Sequence, residues 1–379
     1  MPDISKAKSR VHIIPDDVRI LRTSERSTWK RCPQKWHWAY RDGFTVPHDE
    51  TPNALWFGIG IHEALAHLYG PGAARRKDFI DRWDAYADDS ARHIATTSDG
   101  TWDDKSWVDA KVLGHGMLVG YGKHWHGDPD WDVIYTEEPF EIEIPRLSAP
   151  EETEIVFVST FDGVYRDKNS KKIYLMEHKT AAGISDAHLG LDDQGGAYWA
   201  VASNVLKDKG VLTGKERIAG ITYNFLRKSL PDDRPKNADG YATNKPAKEH
   251  YLAALGGIGL TGKESLATLQ QMATENKIVV FGEVSKSQEK PLFERFNVLR
   301  GPKERVTQIR RISEEAATMN AMRDGLIPVW KTPTRDCSWQ CPFLNMCDLH
   351  ERGEDISAFA KMAYTRRDPY ADRRKSAGE

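Results

Sequence analysis

The stretch EIVFVSTFDGVYRD (residues 154–167), followed after a Lys168-Asn169-Ser170 turn by KIYLMEHKT (172–180), decides how the chain folds. Both segments are rich in β-branched and aromatic residues and are bounded by polar turn residues, so together they read as a hairpin of two partly buried strands. Side chains alternate along a strand, which puts Glu177 and Lys179 on one face and His178 on the other. The hairpin can bring Asp162 beside them. Asp162 and Glu177 lie among Val158, Phe161, Ile173 and Leu175, where unpaired carboxylates are costly. Converging carboxylates repel, and a divalent cation between them relieves the repulsion. An adjacent lysine adds a charge that can stabilise a transition state in which phosphorus gains negative charge. Those are the parts phosphodiester hydrolysis requires, although Glu-x-Lys on a strand, taken alone, is more often a solvated edge.

Outward from the hairpin the periodicity changes. VIYTEEPFEIEI (133–144), IAGITYNFL (218–226), KIVVFGEV (277–284) and LFERFNVLR (292–300) read as further strands. Helical spacing marks residues 24–44, where Pro33 interrupts beside Cys32, and ALWFGIGIHEALAHLYGPG (54–72), which stops at Gly70-Pro71. It also marks residues 75–123, 191–206 and about 302–323. Residues 227–248 hold three prolines and scattered charge and read as an exposed loop or insertion.

The bulk numbers set limits. At 379 residues and 39% hydrophobic the chain can bury a large core. With 54 Lys plus Arg against 56 Asp plus Glu, the net charge of -2 excludes a protein that coats nucleic acid through global positive charge. Any DNA contact must be local. No apolar run reaches bilayer length and MPDISKAKSR has no apolar signal core, so the expectation is a soluble cytoplasmic protein without a membrane partner. The four cysteines are distributed unevenly, with Cys32 alone and Cys337, Cys341 and Cys347 clustered. Metal ligation is a better starting hypothesis for them than disulfides.

GIGIHEAL (58–65), TFDGV (160–164), EHKT (177–180) and QGGAY (194–198), in that order, resemble the successive motifs of RecB-like nucleases in the PD-(D/E)XK superfamily. The iron-sulfur members are the closest in pattern, among them CRISPR-associated RecB-like exonucleases and the AddB helicase-nuclease subunit. The resemblance implies that His62, Asp162 and Glu177 bind Mg or Mn, that Asp162, Glu177 and Lys179 are catalytic, and that Gln194 and Tyr198 line the DNA path. By themselves His62 and Tyr198 would read as packed core residues, and Glu63 as an ordinary helical glutamate. The early Cys32-Pro33 and the late Cys337, Cys341 and Cys347 are similar to the one-plus-three arrangement of the family's 4Fe-4S ligands. Zinc on the same four thiolates is the alternative, though structural zinc sites usually use two close pairs. The departures are Phe161 where the superfamily has proline, a missing glycine shortly before the aspartate, and a first cysteine spacing of three residues instead of two.

The expected fold is α/β and restriction-endonuclease-like, a mixed central sheet flanked by helices, with an iron-sulfur region joining the N- and C-terminal segments. It implies one domain over residues 1–360. The iron-sulfur region covers about 27–45 and 330–350, the nuclease core about 55–227 and 278–325, and an insertion about 228–277. The basic segment 361–379 is expected to be disordered. The function implied is a metal-dependent DNA nuclease, an exonuclease on single-stranded ends serving recombination, repair, phage replication or CRISPR-type processing in a bacterial or phage-infected cell. It would work beside recombination or replication proteins. With no G-x-x-x-x-G-K-[ST] motif, it would be self-contained. The alternative is a catalytically weak DNA-end-binding or scaffold subunit.

Overall fold

Strands β3 (Trp131–Pro145), β4 (Thr153–Asp167) and β5 (Ile173–Ala181) form an antiparallel meander, and the turn between β4 and β5 closes where the Asp167 carboxylate accepts the Ser170 N–H. The computed structural model describes residues 19–46, 52–70, 78–97 and 103–371. A short β1 (Ile20–Arg22) pairs parallel to β4, and β6 (Ile218–Arg227) pairs parallel to β5. Parallel neighbours need a crossover, which helix α6 (Asp193–Asp208) supplies. Strand β7 (Phe293–Leu299) completes a six-stranded mixed sheet, antiparallel to β6.

Helices cover both faces. On one, α6 and α9 (Pro302–Arg323) bury Val201, Val205, Ile309 and Ile312 against Phe157, Leu175 and Ile221. On the other, α3 (Ala54–Tyr69), α4 (Phe79–Thr97) and α5 (Asp104–Trp125) bury Ile61, Leu65, Trp83 and Tyr121 against Tyr165 and Met176. Asn53 and Asp103 cap α3 and α5, and the left-handed His126 ends α5. The mixed sheet with helices on both faces is the expected architecture. No helix among the described residues is long and apolar enough to cross a membrane.

The first and last described segments meet. Helix α1 (Thr23–Arg31) stops at an extended Cys32, and Pro33 opens α2 (Pro33–Trp36), which runs into a π-helical turn over His37–Arg41. Beyond α9, α10 (Cys337–Gln340), α11 (Leu344–Glu351) and α12 (Ser357–Ala363) pack Phe343, Met346 and Tyr364 on Trp38. Strand β2 (Phe44–Thr45) then pairs with β8 (Thr365–Arg366). The Glu25 carboxylate is fully buried and accepts from Trp36 Nε1, Arg323 and the Tyr370 hydroxyl.

Two expectations are corrected. Residues 361–371 are not an unfolded tail, because Tyr364 and Tyr370 find apolar and hydrogen-bonding partners; residues 372–379 lie outside the described residues. KIVVFGEV is not a strand. Val279 is 71% exposed, with no sheet face to cover it, and only Val284 bridges to Thr243. That segment belongs to a longer excursion between β6 and β7, whose neck closes where Arg227 N–H meets Leu292 O. The excursion carries α7 (Lys248–Ala254) and α8 (Leu266–Glu275) around their own small core of Leu255, Leu269 and Ala273.

Candidate active site

Strand β4 keeps β3 along one edge and changes partner on the other. Residues 156–158 pair with β1, and residues 163–166 pair with β5. Between them the edge over residues 159–162 has no strand beside it among the described residues, so the sheet forks. The last β4–β5 pair is Gly163 with Met176, which places Asp162 and Glu177 at the next register position, just inside the fork. Asp162 Oδ2 accepts the His178 N–H at 2.7 Å in place of a ladder bond.

Glu177 and Lys179 share a face, as strand alternation requires, and Lys179 Nζ donates to Glu177 Oε1 at 2.7 Å and to Gln194 Oε1 at 3.0 Å. Gln194 and Tyr198 lie one turn apart on α6, with Gln194 Nε2 3.4 Å from the Tyr198 hydroxyl, which in turn is 2.6 Å from Ser159 Oγ. The Tyr198 ring packs in the core against Phe140 and Phe161, so only its hydroxyl edge reaches the site. Gln194 orients the lysine.

Across the fork, helix α3 presents His62, whose Nδ1 stands 3.5 Å from Asp162 Oδ1 and 3.7 Å from Glu137 Oε1. One ligand atom from each of His62, Glu137 and Asp162 lies within 4.8 Å of the others. Glu137 was not singled out in the sequence. It lies opposite Asp162 in the β3–β4 register, with a left-handed φ of 46° that is uncommon for a non-glycine residue. Its Oε1 is buried without a hydrogen-bond partner. Adjacent acidic residues on an edge strand give no sign of this; only the pairing register and the unusual backbone do. Glu63, by contrast, turns to Arg82.

The charges act on one another. Burial pushes Glu177 up and Asp162 adds to the rise, which Lys179 only partly offsets, leaving the carboxyl at about 7. Burial would also raise Asp162, but His62 outweighs it and holds Asp162 below its usual value. For His62 burial disfavours the cation, yet Asp162 and Glu137 raise the imidazole well above 6.5. Burial likewise opposes charge on Lys179, and the Glu177 carboxylate prevails, keeping the ammonium protonated.

Behind the fork, His178 is buried and edge-on to the His62 ring. Its Nδ1 accepts from Asn224 Nδ2 at 2.8 Å. The amide orientation is fixed because Asn224 Oδ1 accepts from Arg295 Nε, so the neutral ring carries its proton on Nε2. Arg295 also grips Asp128 and the Tyr69 and Tyr121 hydroxyls and lies against Trp125 and Trp131.

The four cysteines are free thiols where α1 and α2 meet the segment beyond α9. Gln34 N–H bonds Trp330 O, Lys35 reaches Gln340 O, and Thr334 N–H donates to Cys337 Sγ at 3.4 Å. Burial raises the Cys341 and Cys347 thiols, Lys35 and Lys331 respectively oppose this, and the sulfurs of Cys32 and Cys337 add to the rise. No three of the four sulfurs lie within 4.8 Å of one another among the described residues.

No curated protein sequence matches the chain. A family model for the PD-(D/E)XK nuclease superfamily matches residues 23–348, from the start of α1 to just beyond the last cysteine. That match spans β4 and β5, the strands that bring Asp162, Glu177 and Lys179 together, and the chain accordingly belongs to the PD-(D/E)XK nuclease superfamily.

Proposed function

We propose that this protein is a Mg- or Mn-dependent deoxyribonuclease of the RecB-like kind, an exonuclease on single-stranded DNA ends that carries a 4Fe-4S cluster on Cys32, Cys337, Cys341 and Cys347. The observation that supports it most directly is the convergence of Asp162, Glu177 and Lys179 at the fork, with His62 and Glu137 facing Asp162. The partnerless Glu137 oxygen beside an imidazole and a carboxylate fits a divalent cation of the oxygen-preferring class, with Mn favoured by the nitrogen donor. Such an ion, when bound, supplies Lewis acidity and countercharge to the phosphoryl oxygens.

The chain's own groups do the rest. Lys179, kept charged by Glu177 and aimed by Gln194, presents its ammonium where negative charge grows. Glu177, at about 7, can exchange a proton near neutral pH. His62 must give up its proton to act as a ligand, so metal loading competes with the His62–Asp162 contact. The order of the RecB-like motifs and the one-plus-three cysteines support the finer assignment to strand ends, with recombination or replication proteins as companions. A purely DNA-end-binding or scaffold role is disfavoured, because every catalytic position is filled.

End-labelled single- and double-stranded DNA, linear and circular, incubated with Mg or Mn tests the proposal. Linear single strands should shorten progressively and circles should survive. Equal cleavage of circles overturns the exonuclease assignment, and full activity in Asp162→Asn overturns the site.

A further inference from the structure

A cavity of about 420 Å³ lies between the second half of α6, the loop leading into β6 and the start of α9. None of the side chains placed at the fork lines it. Ile218, in its wall, is opposite Ile173 in the β5–β6 register, four residues before Glu177 and so roughly 13 Å along the strand. We propose that this cavity is a second ligand site, separate from the metal group, and that it binds a mononucleotide, with the phosphate on the cations of the rim and the base against the apolar wall. The choice of a nucleotide among phosphorylated small molecules rests on the nuclease reading above.

Local structure gathers the wall. Trp199, Ser203 and Lys207 recur at four-residue spacing, so α6 presents them as one stripe. The loop before β6 turns at Gly214, whose φ of 54° is a left-handed conformation that glycine adopts without strain, and it closes where the Glu216 N–H donates to Thr213 O at 2.9 Å. The Glu216 carboxylate accepts from Thr213 and from Arg166 Nη1 at 2.7 Å, which engages the loop's acid and leaves Lys215 and Arg217 exposed. Arg305, at the start of α9, is held by bonds to Ala200 O at 2.8 Å and to Asn204 Oδ1. The same end of α9 brings the positive pole of its dipole.

The charge is one-sided. Lys207, Lys215, Arg217, Arg300 and Arg305 are five cations in the wall, and Glu216 is the one carboxylate among the lining residues. Glu304 turns to Arg300 at 3.7 Å and is not in the wall. In a chain whose net charge is -2, such clustering is local. Burial lowers the Arg305 guanidinium and Arg217 lowers it further, so two like charges are held close enough to repel, which an anion between them relieves. A bare anion needs only the cations. Trp199, Ile218, Pro302 and Val306 make the rest of the wall apolar, and a concavity of this volume and mixed character suits a small molecule with a planar body and a charged group.

Calorimetry in chelator compares a deoxynucleoside 5′-monophosphate, the same nucleoside without phosphate, and inorganic phosphate. Each is titrated into the unsubstituted protein, Arg217→Glu, Lys207→Glu and Lys179→Ala; Arg217 and Lys207 are exposed, so their reversal leaves the core intact. The monophosphate is expected to bind the unsubstituted protein and Lys179→Ala alike, and roughly tenfold or more weakly to either charge-reversal variant, the size of a lost hydrogen bond to a charged group. The nucleoside and inorganic phosphate should each bind more weakly than the whole. Equal binding by the charge-reversal variants, or none by any protein, overturns the proposal. Loss in Lys179→Ala would put the ligand at the fork, and phosphate binding as tightly as the monophosphate would leave only an anion site; each overturns it too. Single-stranded oligonucleotide binding should be unchanged by Arg217→Glu and Lys207→Glu, and a matching loss would make the rim part of the DNA path and overturn the proposal. A protein that binds the monophosphate through Arg217 and Lys207 but leaves end-labelled DNA intact with Mg or Mn keeps this site and loses the nuclease reading; one that cleaves DNA without binding the monophosphate does the reverse.

Discussion

Acid should destabilise the protein through His178, and the size of the effect follows from its surroundings. Burial, aided by His62 and Arg295 and only partly opposed by Asp162, pushes the imidazole from 6.5 down to about 3. The unfolded chain takes a proton near 6.5 that the folded chain refuses, so this contribution is fully present above 6.5 and is lost as pH falls toward about 3. The slope is about 1.4 kcal/mol per pH unit, which makes the loss about 2 kcal/mol at pH ~5. His62 and Glu177, both raised, act in the opposite sense over part of this window, so the pH curve of a single protein does not isolate His178. A difference does. In His178→Gln the side-chain oxygen can still accept from Asn224, and the other titrations cancel on subtraction. Urea unfolding in chelator at about pH 7 and about pH 5 should show the unsubstituted protein losing about 2 kcal/mol more than the variant. Parallel losses in the two proteins would refute a neutral, desolvated His178.

Asp162→Asn, Glu177→Gln and Lys179→Ala should each lower DNA cleavage by roughly 100-fold or more while leaving circular dichroism native, because each removes a transition-state contact and no core packing; normal turnover in any of them removes that residue from the mechanism. Glu137→Gln should weaken Mn binding about 10- to 100-fold by calorimetry, and an unchanged affinity excludes Glu137 from the metal group. Mn binding near neutral pH should release about one proton, since Asp162 and Glu137 keep His62 protonated until a cation displaces it; calorimetry in two buffers of different ionisation enthalpy measures the release, and none would contradict that charge state. Anaerobically purified protein should be brown, absorb broadly near ~400 nm and hold about four irons, whereas one zinc and no iron would exchange the cluster for a zinc site and leave the nuclease unaffected.

What the sequence disclosed was what local pattern encodes. The β4–β5 hairpin announces itself because β-branched runs flank a polar turn, and strand alternation alone puts Glu177 and Lys179 on one face. The helix at 302–323 is legible from Pro302 at its first turn and its apolar spacing. Glu137 was not legible, since its place depends on the register of a strand 25 residues earlier and on a left-handed backbone that no neighbouring glycine betrays. KIVVFGEV misled for the opposite reason: its composition suits a strand, but strands persist only beside a partner, and among the described residues it finds only the single bridge from Val284 to Thr243. Tyr364 and Tyr370 were lost among the basic residues around them, although two well-placed aromatic rings are enough to fix a short segment.

The bond between Tyr370 and Glu25 spans 345 positions of the chain. Glu25 lies on the first turn of α1, the same turn that walls a cavity beside Asp162. Synthesis proceeds from the N-terminal end at several residues per second, so β4, β5 and the carboxylates they carry leave the ribosome tens of seconds or less before the residues that anchor α1. During that interval Glu25 lacks its Tyr370 and Arg323 partners, and a buried carboxylate without them favours leaving α1 undocked. Completion of the cleft is thereby deferred until residue 370 has been made, and a nascent fragment that stops before it carries Asp162, Glu177 and Lys179 beside an unfinished wall.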